Sequence, residues 1–223
     1  MLVRHVGSSR TPVEGHLAAL AGERVLCSEF QYRSKIEIFG EGEPAEYVYQ
    51  ITSGSVRTYK LLSDGRRQIN AFHLPGDIFG LENGEVHRFA AEAIIDTTVR
   101  IARWRSLFGE LEQRRSSGLA SNLLRLVTKN LQHAEDHMLL LGRKTSTERV
   151  AAFLLEMDQR MALPSTMILP MTRRDVADYL GLTLETVSRA LSVLRDRGLI
   201  RFTCPSQREL MLLNRAKLAK LDG

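Results

Sequence analysis

Glu185, Ser188 and Arg189 are the residues whose types and spacing most directly suggest chemistry. At positions i, i+3 and i+4 they share one side of a helix. Arginine can grip O6 and N7 of guanine with two hydrogen bonds. Glutamate can accept from the N4 amino group of cytosine, and serine can reach a phosphate or a base. The same spacing also allows a plain exposed Glu185–Arg189 ion pair on an ordinary helical hairpin. The surrounding residues decide between these readings.

Those three residues lie within RRDVADYLGLTLETVSRALSVL, Arg173 to Leu194. Two short helices crossing at a steep angle need a small side chain where they touch, and Ala177 supplies one. Four residues later the turn needs positive φ, and Gly181 supplies that. Val176, Leu180, Leu182, Val187, Ala190 and Leu191 fall where inner faces are required. Thr183 stands at the N-cap of the second helix, with Thr186 three residues on rather than the Glu of a capping box. The outer face then carries Leu184, Glu185, Ser188, Arg189, Ser192 and Arg195. This set predicts a helix-turn-helix that reads double-stranded DNA. After Arg197-Gly198, the runs Leu199–Thr203 and Glu209–Leu213 flank CPSQR and predict a two-stranded wing. Its Arg201 and Arg208 are candidates for phosphate contacts. The candidate DNA-contacting set is therefore Thr183, Leu184, Glu185, Ser188, Arg189, Arg201 and Arg208. Cys204 lies in the predicted wing, where oxidation would add charge or bulk beside DNA; an inert half-buried thiol is the simpler expectation.

A recognition element must be positioned, and the upstream sequence shows how. From about Arg105 to Leu141 there is no proline, and the apolar period becomes helical. Ala120, Leu124, Val127, Leu131, Ala134, Met138 and Leu141 alternate steps of four and three, a heptad seam suited to a parallel homodimer. Leu119, Leu123 and Leu126 form a second stripe that can pack on the domain before it. Gly142 to Thr147 reads as a short polar hinge. Thr145 or Ser146 then caps a helix through Val150, Phe153, Leu154 and Met157, ended near Pro164.

Before this helix the texture is β. KIEIFG (35–40), YVYQIT (47–52), SVRTYKLL (55–62), RQINAFHL (67–74) and TTVRIARW (97–104) are separated by turn signals such as Ser53-Gly54 and Ser63-Asp64-Gly65. They predict a jelly-roll barrel. Residues 1–30 read as an irregular or partly helical lead-in. The expected organisation is α+β: a sensor-like barrel over 1–104, a dimerisation helix over 105–142 and a winged helix-turn-helix over 143–223.

Bulk properties fit this division. Residues 1–142 hold 17 Lys/Arg and 17 Asp/Glu, whereas 143–223 hold 14 against 9, so the net charge of +5 resides in the C-terminal third. A basic domain joined to a neutral one suits a polyanion partner. No apolar run approaches the roughly 18 residues of a membrane span. The start, MLVRHVGSSRTPVEGH, lacks an apolar leader core, and the two cysteines, Cys27 and Cys204, are far apart. A cytoplasmic protein without membrane association is expected. The six histidines include no His-x-His ligand pair, and neither a catalytic triad nor a phosphate loop is present, so an enzyme is not expected.

The segment GEPAEYVYQITSGSVRTYKLLSDGRRQINAFHLPGDIFGLE, the long helix and the core LTLETVSRAL together resemble the CRP/FNR family of bacterial regulators, in its FNR/FixK-like branch. The resemblance covers nearly the whole chain. It implies a homodimer that binds a near-palindromic site with TTGAT-type half-sites, read by residues matching Glu185, Ser188 and Arg189. It also implies activation through contact with RNA polymerase, typically in a low-oxygen response. An iron–sulfur cluster needs about four thiolates, and Cys27 stands alone in the first 203 residues. Cyclic-nucleotide members hold the phosphate and ribose with a Gly-Glu and an Arg-Ser/Thr pair. Here Gly80-Leu81-Glu82 to Arg88-Phe89-Ala90 departs from that pattern, though Arg88 could meet an anion. His73 is the obvious candidate for a haem ligand, but no second ligand is recognisable. No cofactor is therefore expected; the alternative is the same regulator with haem or a nucleotide in the barrel.

Overall fold

In the computed structural model the chain divides into two compact units, Met1–Leu131 and Gln132–Gly223. Described are residues 3–9, 17, 27–82, 85–107, 117–143, 145–161, 166–204 and 207–222, the side chains at 7–9, 117–120, 143 and 222 excepted.

The first unit is a jelly roll of two antiparallel sheets. β1 (Val3–Ser9), β2 (Cys27–Tyr32), β9 (Thr97–Arg103), β4 (Tyr47–Ser53) and β7 (Ile78–Phe79) form one, in the order β1-β2-β9-β4-β7. β3 (Glu37–Phe39), β8 (Ala90–Ala93), β5 (Val56–Leu61) and β6 (Arg67–His73) form the other, in the order β3-β8-β5-β6. Alternation along the strands divides the apolar residues between two places. Tyr32, Phe39, Tyr49, Ile51, Val56, Phe79, Ala91, Ala93 and Val99 meet in one core, to which both sheets contribute. Val48, Ile78, Ala102 and Cys27 form another with Leu17 and Leu107.

The five strands expected from texture are all present. The lead-in is corrected: Val3–Ser9 is a strand paired with β2, with a register shift between His5 and Gly7. VRHVGSS has little strand signature of its own, and pairing with Cys27–Tyr32 supplies what propensity does not. Most of the lead-in, 10–16 and 18–26, lies outside the described residues. Gly54 shows why a turn glycine is needed in the barrel: at φ +89, Thr97 and the Asp96 carbonyl stand where a Cβ would be.

One long helix, α1 (Ser117–Arg143), runs through the division between the units. Of the 105–142 expected for it, residues 105–107 are also helical, and 108–116 lie outside the described residues. Leu123 and Leu126 pack against the Val48–Ala102 cluster, as the second stripe predicts; the side chain of Leu119 is not among those described.

In the second unit, α2 (Ser146–Met161), β10 (Met167–Ile168), α3 (Arg173–Leu180), α4 (Leu184–Asp196), β11 (Ile200–Phe202), β12 (Glu209–Leu212) and α5 (Arg215–Asp222) follow in order. Thr145 caps α2: its backbone N–H donates to Glu148 Oε2 at 2.7 Å, and its hydroxyl accepts from the Glu148 N–H at 3.4 Å. Val150, Phe153, Leu154 and Met157 are buried as expected. The wing sheet has three strands, β10-β12-β11, rather than two. α2 ends at Met161, and Pro164, expected to end it, lies outside the described residues.

Candidate nucleic-acid interface

The helix-turn-helix is built from its caps inward. Thr172 begins α3 with a full capping box. Its hydroxyl accepts from the Asp175 N–H at 3.2 Å, and its own N–H donates to Asp175 Oδ2 at 2.9 Å. This box was legible as T-x-x-D but escaped the sequence reading. α3 ends at Gly181, with φ 62 and ψ 38, whose N–H bonds the Ala177 carbonyl. A side chain there would be strained by that φ rather than by its neighbours. Thr183 then caps α4, accepting from the Thr186 N–H at 3.2 Å. Val176, Ala177, Leu180, Val187, Ala190 and Leu191 are buried, and Leu182 is half-buried.

With that face buried, the opposite one is presented. Thr183, Glu185, Arg189 and Arg195 are exposed; Leu184, Ser188 and Ser192 are half-exposed. The Glu185 carboxylate hydrogen-bonds its own backbone N–H and then the Thr183 hydroxyl. Together with the charges of Arg174 and Arg189, these hold it below the ordinary carboxylate value, so Glu185 stays ionised and acts as an acceptor. Arg189, one turn on, projects as a donor. An acceptor and a donor fork side by side complement the two partners of one G·C pair.

Arg173 is a participant that sequence reasoning missed. Its guanidinium donates to Ser188 Oγ at 3.3 Å and to Gln207 Oε1, and lies 5.7 Å from the Phe202 ring centroid. It therefore joins the start of α3, the middle of α4 and the wing. In the wing, exposed Arg201 pairs across the strands with Met211 and donates to its Sδ at 3.2 Å. Arg208 is exposed just before β12. The turn closes with the Gln207 N–H on the Cys204 carbonyl at 3.1 Å, Gln207 taking φ 55; residues 205–206 of the expected CPSQR turn lie outside the described residues. Cys204 is half-buried and Cys27 is buried in the barrel, where desolvation pushes its thiol up.

The helical seam is an exposed apolar stripe. Leu124 is 67% exposed, Val127 50%, Leu131 57% and Met138 66%. Ala134 is exposed and Leu141 half-buried, while the Ala120 side chain is not among those described. Four large apolar side chains in heptad register thus stand open to water.

The barrel residues weighed as ligand contacts have protein partners. Arg88 Nε pairs with Glu82 Oε2 at 3.2 Å. His73 Nε2 lies 3.1 Å from Thr58 Oγ1, and its ring stacks on Phe79 at 5.1 Å. His87, which the sequence reading did not single out, is 1% exposed and stacks on Phe39 with 3.6 Å between centroids. Its Nδ1 has no hydrogen-bond partner among the described residues, and burial lowers its basicity against the opposing pull of Glu82 and Glu43. Tyr49 and Phe79 complete the aromatic cluster.

Residues 29–113 match the cyclic nucleotide-binding domain family, and residues 148–221 match the Crp-like helix-turn-helix domain. The chain is 46% identical to the nitrogen fixation regulation protein FixK of Azorhizobium caulinodans over 192 residues, covering 84% of this chain and 76% of that one. It is 43% identical to the protein of the same name from Rhizobium meliloti, covering 82% and 81%. The solved structure of FixK2 from Bradyrhizobium japonicum superposes with a TM-score of 0.83 at 59% identity, covering 88% of this chain and 98% of that one. A nucleotide-binding-type jelly roll, a long helix with an exposed seam and a capped helix-turn-helix thus occur in one chain, and the chain belongs to the CRP/FNR family of DNA-binding transcription regulators.

Proposed function

We propose that this regulator acts as a homodimeric activator on near-palindromic sites with TTGAT-type half-sites. The observation that carries the reading is the joint exposure of Glu185 and Arg189, with Ser188 between them, on the outer face of a helix whose inner face is buried. Arg189 reads the guanine, and Glu185 accepts from the amino group of its paired cytosine. Thr183, Leu184 and Ser188 border that contact, and Arg201 and Arg208 hold phosphates from the wing. Leu124, Val127, Leu131, Ala134, Met138 and Leu141 supply the dimer interface. Two recognition helices then enter successive major grooves about 34 Å apart. RNA polymerase is the further partner that activation requires, and the site of action is the cytoplasm.

The barrel works without a bound effector in this reading. The Phe39–His87 stack and the partners of His73 and Arg88 support it. The kinship with regulators of nitrogen fixation supports a role in a low-oxygen response. The test is a titration of Arg189→Ala against the palindrome and against a variant with the guanine replaced. A loss of about 1–3 kcal/mol per half-site, with discrimination at that base relaxed, is expected. Equal loss on both DNAs, with the wild-type ratio retained, would reduce Arg189 to a backbone contact.

A further inference from the structure

The last turns of α1 are fastened to the first helix of the helix-turn-helix at two places, and neither fastening touches the recognition face. The first is Arg149, in the opening turn of α2. Its Nη2 donates to the Leu141 carbonyl at 2.8 Å and its Nη1 to the Leu180 carbonyl at 3.1 Å. One guanidinium thus caps the C-terminal ends of both α1 and α3, where the carbonyls lack helical partners and the helix dipoles favour a cation. The second is Glu156. Its Oε1 accepts from His133 Nε2 at 2.9 Å and from Arg160 Nη1 at 2.8 Å, and its Oε2 accepts from the Tyr179 hydroxyl at 3.4 Å. The His137 ring stacks on Tyr179 with 4.1 Å between centroids, and Tyr179 is 2% exposed.

The spacing of the two ties gives them a mechanical meaning. His133 and Leu141 are eight residues apart, about 12 Å along the helix axis. One contact would act as a pivot. Two directional contacts at that separation fix both the tilt and the slide of α3 relative to α1, and α3 carries α4 through the Gly181 turn.

We infer that Arg149 and Glu156 are positioning residues that set the half-site spacing the dimer accepts, by clamping the helix-turn-helix to the end of the dimerisation helix. This rests on the homodimer reading above. A recognition helix needs no clamp to read one half-site. Two of them joined through α1 bind a palindrome tightly only while the second helix is held at the correct distance, because that geometry sets its effective concentration. Loosening the clamp costs the dimer its preference for one spacing and leaves single-site reading intact.

The test uses the full chain as wild type, Glu156→Gln, Arg149→Met and Arg149→Lys. Each is titrated against a duplex with one half-site, the palindrome, and palindromes lengthened or shortened by one and two base pairs, with mass measured by light scattering. Glu156→Gln and Arg149→Met are expected to keep the dimer mass and hold half-site affinity within about twofold. Their affinity for the native palindrome should fall about tenfold, and their preference for it over the altered spacings should collapse. Arg149→Lys, which keeps the charge on the two helix ends, should recover part of the preference. Dimers that retain the wild-type spacing preference would overturn the inference, as would equal losses on the half-site and the palindrome. Should Glu156→Gln fail to fold, the Arg149 pair decides the matter. A monomeric wild type would instead remove the homodimer reading, and the inference with it.

Discussion

The two stretches of α1 are attached to their surroundings by different physics. The stretch before Leu131 meets the barrel through Leu123 and Leu126, which lie on a cluster containing Val48, Ile78 and Ala102. The stretch after it meets the DNA-binding unit through Arg149, His133, Glu156 and the His137–Tyr179 stack. Apolar contact scales with area and is indifferent to direction. Hydrogen bonds weaken steeply when misaligned. A helix held by area at one end and by direction at the other tolerates repacking on the barrel side and holds its angle on the DNA side. The charge state of the network fits that role. Burial would raise the Glu156 carboxyl, but hydrogen bonds from His133 and Arg160, with their charges, hold it below the ordinary carboxylate value.

The largest expected effect comes from the stripe that belongs to neither attachment. Leu131→Glu places a charge in the middle of the seam. It should give monomers by light scattering and lower operator affinity by about a hundredfold or more, as avidity is lost. A variant that remains fully dimeric would take this helix out of the interface. Next is the apolar attachment. Leu126→Ala removes half-buried side-chain volume and should cost the barrel about 1–3 kcal/mol in thermal unfolding. Spacing selectivity on DNA should stay as in the wild type; a change in selectivity would blur the distinction between the two stretches.

The smallest effect is a pH dependence. His87 is less basic in the folded barrel than in the unfolded chain, because burial penalises its charged form. Between its folded value and about 6.5 the unfolded state binds more protons, so stability falls as pH falls through that window. His137 is lowered for the same leading reason and adds the same sign in the other unit. Glu156 acts in a separate window: its stabilising effect is complete above the ordinary carboxylate value and is lost as pH drops through its lowered one. Melting between pH 7.5 and 5.5 should therefore show a decline that His87→Leu makes shallower in the barrel. An unchanged slope would assign that decline to other groups.

What was legible in the sequence follows from where each constraint is written. The helix-turn-helix could be read because Ala177, Gly181 and Thr183 impose local requirements within a few residues of one another. The seam could be read because its period is local. β1 and β8 could not: VRHVGSS and AAEA have weak strand character, and their pairing partners lie far along the chain. Arg149 and Glu156 were invisible for the same reason. Arg149 reaches a carbonyl 31 residues away, and Glu156 a histidine and a tyrosine each 23 residues away. The candidate reading residues were thus found in one segment, whereas the groups that aim them were spread across three helices.

The open stripe of Leu124, Val127, Leu131 and Met138 also bears on how such a regulator is switched on. If two chains must meet along it before a palindrome can be gripped, mass action governs activity. While most chains are single, the number of pairs rises with the square of the number of chains, so doubling synthesis about quadruples the species that grips the promoter. Proteolysis of single chains would sharpen the threshold further. In the effector-free reading proposed above, the abundance of the protein becomes the message.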